Sequence, residues 1–372
     1  MRRSSSVRAL KLKTGLPAGV ACRRRFERRR HPRYNLHMHM ASMDCGECEI
    51  AVLVDEEIGE RDESGRFVVE SGTMEAQVLE CLNARHRGVS VIPFDPDITP
   101  AIEELRRLSP RLVFNLTEWL DGDRRLDAAI AGVLEMMNLR YTGTGPEGMQ
   151  LARDKALAKS IVGALGIAAP QHAIVNGRVP DIDFPFPAIV KPQFGDGSDS
   201  IANNALVSSQ HDLARRVAAI RRRSDEPLLC EQFIEGRDLF VALLGNEPRV
   251  MPPLELVVGR KGAGAPRFAT YRVKNDPSFR TRWRVHYREP RLPEAVVATL
   301  EDASRRIFAA LKLRDYARID YRLTPSGELY FLEANPNPDL TRHTFGRDRC
   351  FAGVGYPDLI ASIVDAALER TR

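Results

Sequence analysis

The chain has 372 residues, of which 43% are hydrophobic and 28% charged, and its formal net charge is +5. This length and composition predict two or three folded domains and exclude a chain that is disordered throughout. No apolar run reaches the roughly 18 residues of a membrane span, which argues against a membrane protein. The positive charge belongs to residues 1–40, which carry a net +11, so the remaining chain carries −6.

Residues 1–44 are predicted to be a basic, disordered extension, because they have neither an apolar segment nor a hydrophobic period. A targeting peptide, or sequence upstream of a later start methionine, are the alternatives. The acidic body offers no basic stripe, which disfavours nucleic acid as a partner. Six scattered cysteines are typical of a reducing compartment, so we expect a cytoplasmic protein. Cys45 and Cys48 have zinc-site spacing, but no second pair completes a ligand set.

Strands and helices alternate over residues 45–145. Continuous apolar strands are predicted at Glu49–Asp55, Val89–Phe94 and Leu112–Leu116, and helices at Met74–Arg87, Ala101–Leu108 and Arg125–Met137. This alternation predicts a small doubly wound α/β domain. The turn-rich segment Leu139–Gly145 marks its end. A single helix that contains Lys155 is predicted beyond it, over Met149–Leu165.

The following segment has features that suit a bound nucleotide. A buried strand, Phe186–Pro192, ends in Lys191, a point charge that can reach phosphates. The loop Phe194–Ser200 contains glycines that would let backbone N–H groups surround a phosphate, although Gly-Asp-Gly is also ordinary turn chemistry. A further apolar strand ends in Glu231, where a hinge backbone could hydrogen-bond adenine. Asp238 could then accept from ribose hydroxyls, and an ordinary strand followed by a charged turn is the alternative.

Residues 259–290 are rich in Gly, Arg, Lys and aromatic residues and have no regular hydrophobic period. This pattern predicts a long loop, and such loops in compact domains are often lids. Lys274 would be a mobile cation able to close over a triphosphate. The alternative is a solvated basic loop.

Two neighbouring segments, Arg318–Leu323 and Leu329–Pro336, alternate polar and apolar residues at the period of a half-buried strand. The intervening Thr324–Gly327 has the Pro and Gly positions of a type I turn. The predicted antiparallel register places Arg318 opposite Glu333. The opposite face is expected to be core and consists of Ala317, Ile319, Tyr321, Tyr330, Leu332 and Ala334.

The polar face of this hairpin gathers oxygen ligands. Asp320, Glu333 and Asn335 offer two carboxylates and an amide oxygen, which suit a Mg²⁺ ion completed by water and substrate phosphates. Arg318 beside them can neutralise a phosphoryl group. The alternative is an ordinary hairpin with a solvated charged face.

The order of these features resembles the ATP-grasp superfamily and, within it, the D-alanine–D-alanine ligase family. Five motifs carry the resemblance: V-F-N, Y-T-G-T-G, D-K-A-L-A-K, A-I-V-K-P and L-E-A-N. The resemblance implies a fold of mixed α/β and α+β class. An N-terminal Rossmann-like (preATP-grasp) domain over residues 45–145 would precede two ATP-grasp subdomains over 146–232 and 233–372, with 259–290 as the lid.

The resemblance also implies roles for individual residues. ATP would be held by Lys155, Lys191, Glu231, Gln232, Phe233, Ile234, Asp238 and Lys274. Two Mg²⁺ ions, or Mn²⁺ in their place, would be held by Asp320, Glu333 and Asn335. The residues acting on the reacting groups would be Arg318, Lys274 and Ser198.

The family's reaction would join a small-molecule carboxylate to an amine through an acyl phosphate, in a protein that is commonly a homodimer. Two positions and one loop depart from the family. Asp339 replaces a Gly whose N–H binds the second substrate's carboxylate, Glu118 replaces a His, and the Gly-rich loop that contains Ser198 is one residue longer. Thr344 replaces a substrate-binding Ser and retains its hydroxyl. These departures favour an altered substrate, and Asp339 favours a cationic amine. A true D-alanine–D-alanine ligase and a non-catalytic ATP-binding regulatory protein are the alternatives.

Overall fold

The computed structural model describes residues 48–120, 123, 126–194, 205–262, 264–342 and 353–370. The predicted basic extension, Cys45, Ser198 and Thr344 lie outside these ranges, so the predictions for them are untested. None of the helices in the described ranges is long and apolar enough to cross a membrane.

A parallel sheet and its covering helices form the first part of the described chain. The strands are β1 (Ile50–Asp55), the short hairpin β2 (Gly59–Arg61) and β3 (Phe67–Val69), β4 (Val89–Phe94) and β5 (Leu112–Asn115). The helices are α1 (Met74–Arg85), α2 (Thr99–Leu108) and α3 (Asp127–Met136). Strands β4, β1 and β5 pair in that order and are all parallel. The predicted α/β arrangement is therefore confirmed.

Strand β1 is apolar from Ile50 to Val54 because helices cover both of its faces. Val52 and Val54 pack in the cluster that includes α1, whereas Ala51 and Leu53 pack with α2 and α3. The C-terminal helix α10, whose bounds are given below, also lies in the first of these clusters. The end of the chain thus returns to the N-terminal sheet. The domain boundaries at 145 and 232 stay predictions.

The helix predicted over Met149–Leu165 is two helices, so that prediction was wrong. They are α4 (Pro146–Arg153) and α5 (Lys155–Ala164). Between them Asp154 is extended (φ −77°, ψ 96°), and its carboxylate accepts from the N–H groups of Ala156 and Leu157. Asp154 therefore caps a new helix N-terminus, which places Lys155 at the first position of α5.

An antiparallel sheet follows, in the order β6–β9–β7–β8. Its elements are β6 (His172–Val175), β7 (Ala188–Pro192), β8 (Leu206–Val207), α6 (Gln210–Arg221) and β9 (Leu228–Gln232). In the register of β7 and β9, Ile189 lies opposite Glu231 and Lys191 opposite Leu229.

A larger antiparallel sheet completes the fold. Its strands are β10 (Arg237–Leu244), β11 (Arg249–Val250), β12 (Leu254–Val258), β13 (Val285–Arg288), β14 (Tyr316–Leu323) and β15 (Leu329–Asn335). The main strand order is β13–β12–β10–β14–β15, and β11 pairs with β10. The remaining helices are α7 (Tyr271–Asn275), α8 (Pro277–Trp283), α9 (Glu294–Ala310) and α10 (Tyr356–Glu369).

The prediction of an irregular loop over residues 259–290 was wrong, because α7, α8 and β13 lie within it. The side chains of Thr270 and Asp276 cap the two short helices. Val273, Phe279 and Trp283 are buried on them. Because the two caps lie so close together, each helix is too short for a helical period to be recognised in the sequence.

Candidate active site

The β14–β15 hairpin has a register that differs from the predicted one. Asp320 lies opposite Glu333, and Arg318 lies opposite Asn335. The predicted turn is present, since the Gly327 N–H donates to the Thr324 carbonyl at 3.0 Å. The prediction that Arg318 faces Glu333 was wrong for two reasons. The ladder leaves the turn with Leu323 opposite Leu329, one residue later than predicted, and a β-bulge between Tyr321 and Asp320 shifts the pairing by one residue more.

The bulge falls at Leu332, which has no partner in the ladder between Asp320↔Glu333 and Tyr321↔Phe331. An extra residue changes which side chains face the core. Leu329 and Phe331 are therefore buried in the core, whereas the predicted Tyr330 and Leu332 are only half-buried. Beyond the bulge, Glu333 and Asn335 lie in the register positions paired with Asp320 and Arg318.

Arg318 and Asp320 form a two-pronged ion pair on β14. The guanidinium donates from Nε to Oδ1 at 2.7 Å and from Nη2 to Oδ2 at 3.2 Å. The Asn335 amide nitrogen lies 3.4 Å from Asp320 Oδ1. Burial raises the pKa of Asp320, whereas the Arg318 charge opposes that rise. The arginine and two of the three predicted metal ligands thus form one contiguous group.

Lysines from three elements meet the acidic side of this group. Burial alone would raise the pKa of Glu333, but the charges of Lys274, Lys155, Lys191 and Lys159 outweigh it and hold the pKa at about 2. Glu333 is therefore an anion at neutral pH within a set of cations. Lys155 lines a small recess together with Glu333 and Asn335.

Glu231, the residue predicted on the adenine side, uses its carboxylate to bind two lysines. Lys191 Nζ lies 2.6 Å from Oε1, and Lys159 Nζ lies 3.2 Å from Oε2. Oε2 is buried and has no aligned hydrogen-bond donor within the described ranges.

Asp238, the predicted ribose ligand, lies opposite Arg322 across strands β10 and β14. Asp238 Oδ1 is 3.0 Å from Arg322 Nη2. Burial raises the pKa of Asp238, and the charges of Arg322 and Lys274 act against it. The Arg322 guanidinium also stacks over the Phe233 ring, 5.4 Å from its centroid.

A cleft lies between the two antiparallel sheets. One part is apolar, with Phe233 and Phe268 packed edge to face at 5.8 Å between centroids. The other part is charged. Of the predicted site residues, the cleft is lined by Lys191, Glu231, Gln232, Phe233, Ile234, Asp238, Lys274, Asp320 and Glu333. The apolar part of the cleft suits the base of a nucleotide, and the charged part suits its phosphates.

The sequence-based prediction missed two charged residues of this site, Lys159 and Arg322. Each had a signal. Lys159 follows Lys155 by four residues, so the two share one face of α5. Arg322 follows Asp320 by two residues and so shares its face of the strand.

The site also fits the metal that the family resemblance implies. Carboxylate and amide oxygens are the ligands of Mg²⁺, and Asp320, Glu333 and Asn335 provide them. Within the described ranges, no three His, Cys, Asp or Glu side chains form a metal-binding group. A metal ion held here would therefore need further ligands from water and phosphate oxygens, as Mg²⁺ in nucleotide sites does.

Two residues that depart from the family are Glu118, just beyond the carboxyl end of β5, and Asp339, beyond β15. Asp55 accepts from the N–H groups of Glu118 and Trp119 at 3.1 and 3.2 Å, and burial raises its pKa to about 6. Asp339 accepts from the Thr341 N–H at 2.7 Å. Burial raises the pKa of Glu75, and the charge of Asp339 adds to that rise.

Comparison with known proteins places this site in a family. Residues 178–365 match the family model described as the D-ala D-ala ligase C-terminus. A D-alanine–D-alanine ligase of Desulforudis audaxviator is 30% identical over 298 residues, which are 78% of this chain and 92% of that protein. The chain belongs to the D-alanine–D-alanine ligase family. It is an ATP-grasp ligase that forms C–N bonds.

Two further relatives show how far the family likeness extends. A Sinorhizobium fredii protein named uncharacterized protein y4sG is 34% identical over 264 residues, 70% of this chain and 75% of its own. The crystal structure of the Bacillus anthracis D-alanine–D-alanine ligase complexed with ATP matches with a TM-score of 0.64. That match has 18% identity and covers 87% of this chain and 97% of that one. The expected ATP-grasp fold is therefore confirmed.

Proposed function

We propose that the chain uses ATP and Mg²⁺ in this cleft to activate a carboxylate as an acyl phosphate and then joins it to an amine. The observation that carries the proposal is the placing of Lys155, Lys191 and Lys274 around Glu333, which faces Asp320. Cations of this kind balance a triphosphate, and the carboxylates between them hold its metal. The apolar part of the cleft beside Phe233 would take the base.

The reaction follows from these positions. A carboxylate oxygen of the first substrate attacks the γ-phosphorus and ADP leaves. The amine nitrogen then attacks the acyl carbon and inorganic phosphate leaves, which yields an amide. Bound Mg²⁺, in one or two ions, would spread the charge that develops on the phosphoryl oxygens. Lys274 neutralises the same charge, and Arg318 does so at the acyl phosphate. Phe268, Ala269 and Lys274 of one segment line the cleft, and this segment would protect the intermediate from water.

The second substrate is proposed to be a cationic amine, such as a diamine or an amino sugar, in place of D-alanine. Asp339 stands where the family presents a backbone N–H to a carboxylate, and a fixed negative charge there repels such a carboxylate. The half-buried Asp339 also lies close enough to Glu75 to raise the pKa of that acid. Glu118, which replaces the family's His, adds a further acidic side chain in the N-terminal part of the chain, just beyond β5.

A screen of amines for stimulated ADP release tests the choice of acceptor. With ATP, Mg²⁺ and a mixture of amino acids as carboxylate donors, cationic amines should raise the turnover at least about tenfold more than D-alanine does. In Asp339→Gly this preference should fall about tenfold or more, because the repelling charge is gone. Mass spectrometry of the product would identify both substrates.

Asp225→Gly is the matched control, since Asp225 is an exposed loop residue and its loss should leave the preference unchanged. D-alanine as the best acceptor would instead support a D-alanine–D-alanine ligase. Nucleotide binding without turnover for any amine would support a regulatory protein.

A further inference from the structure

Lys159 is a lysine buried at the meeting point of the two sheets that enclose the cleft. Its side chain, on α5, is 1% exposed. Its ammonium forms the ion pair with Glu231 of β9 and donates to the Leu332 carbonyl of β15. One cation thus links the smaller sheet to the larger one.

Lys159 contacts Leu332 at the β-bulge, which determines how Glu333 and Asn335 of β15 pair with β14. A bulge residue has no partner in the ladder, so its polar groups need other partners. Lys159 supplies one for the Leu332 carbonyl. The next residue is Glu333, which faces Asp320 only because the bulge is present.

The contact with Glu231 falls on the opposite wall. The other oxygen of that carboxylate pairs with Lys191 at 2.6 Å. Burial lowers the pKa of Lys159 to about 8, and the Glu231 charge opposes that fall. A buried lysine held between a carboxylate and a carbonyl has few other orientations, so it ties Lys191 and Glu333 to one geometry.

We propose that Lys159 is a positioning residue for the metal–nucleotide site. Lys159 is not among the residues that line the cleft, but it holds Glu333 through the Leu332 carbonyl and Lys191 through Glu231. This inference rests on the proposed function, because it assumes that the cleft binds a metal–nucleotide complex.

The direction in which the cation affinity changes distinguishes a positioning role from a purely electrostatic one. Lys159 adds positive charge close to Glu333. If Lys159 acted by charge alone, its removal would strengthen the binding of a cation at Glu333. If it positions Glu333, its removal weakens that binding.

The experiment is a Mn²⁺ titration followed by electron paramagnetic resonance, at a saturating concentration of a non-hydrolysable ATP analogue. Lys159→Met keeps an unbranched side chain as far as the ε position and removes the ammonium. We expect its Mn²⁺ affinity to fall about 10- to 100-fold, as for other residues that orient metal ligands. The control is Val162→Ala on the same helix, because Val162 is fully buried in the core and reports the effect of a weakened α5. Its Mn²⁺ affinity should stay within about twofold of the unmodified protein.

An unchanged or stronger Mn²⁺ affinity in Lys159→Met, or an equal loss in Val162→Ala, would overturn the proposal. If Lys159→Met does not fold, Lys159→Gln carries the test. The amide nitrogen of glutamine lies one bond closer to the backbone and cannot keep both contacts. We therefore expect the Mn²⁺ affinity to fall by roughly fivefold or more, and an unchanged affinity would contradict the proposal. Failure of the unmodified protein to bind the Mn²⁺–nucleotide complex would instead refute the proposed function.

Discussion

Glu333→Gln should lower the ligase turnover number by at least about 10²–10³-fold, the loss typical of a residue that stabilises charge in a transition state. Glu333 faces Asp320 and lies among lysines whose charges hold its pKa at about 2. The amide would remove a metal ligand and a negative charge that attracts those lysines. Steady-state ADP release with the acceptor found in the amine screen measures the effect.

Glu328→Gln on the same hairpin is the control. Glu328 is exposed at the turn, so this variant should retain activity within about twofold. Retention of more than about a tenth of the activity by Glu333→Gln at saturating Mg²⁺ would mean that Glu333 does not hold the metal.

Asp315→Ala should lower the free energy of unfolding by about 3–5 kcal/mol, as expected when one partner of a buried ion pair is removed. Asp315 is fully buried. Its carboxylate accepts from the Gly143 N–H at 2.7 Å, from Asn246 Nδ2 at 3.1 Å and from Arg370 Nη1 at 2.6 Å. These donors come from the Y-T-G-T-G segment, the β10–β11 turn and the end of α10. The left-handed backbone of Asp315 (φ 59°) adds to the cost of alanine, because alanine disfavours that region.

Urea unfolding measures this loss, and Asp302→Ala is the comparison. Asp302 pairs with Arg306 on the surface of α9, with side chains 67% and 46% exposed. Exposed pairs contribute little, so this variant should change the free energy by less than about 1 kcal/mol. Equal effects of the two variants would show that the Asp315 network does not hold these segments together.

The sequence predicted the elements whose residues carry a regular pattern. Residues Ile50–Val54 of β1 are a continuous apolar run buried on both faces, and β4 has the predicted bounds Val89–Phe94. The polar residues of the hairpin were recognised because the period-two alternation does not depend on the partner strand. Nine predicted site residues line the cleft, and their roles had been assigned from the resemblance to the family.

The errors occurred where one residue breaks the pattern. The bulge at Leu332 places Leu329 and Phe331 in the core where Tyr330 and Leu332 were predicted, and it shifts the register by one residue. No local feature of L-Y-F-L-E-A-N indicates this bulge. The single helix was predicted because Asp154 continues the apparent period, although its side chain begins a new helix. Lys159 was missed because its partners, Glu231 and Leu332, are distant in sequence. Ionic contacts between sheets depend on tertiary structure, which a one-dimensional pattern does not reveal.

The transfer of oxygen from the carboxylate substrate to phosphate tests the central claim most directly. The carboxylate identified in the amine screen is labelled with ¹⁸O, and the inorganic phosphate released during amide formation is examined by ³¹P NMR or mass spectrometry. An acyl phosphate requires that one carboxylate oxygen leaves with the phosphate, so phosphate with a single ¹⁸O atom is the predicted result. Unlabelled phosphate, or release of AMP and pyrophosphate, would contradict the proposed reaction.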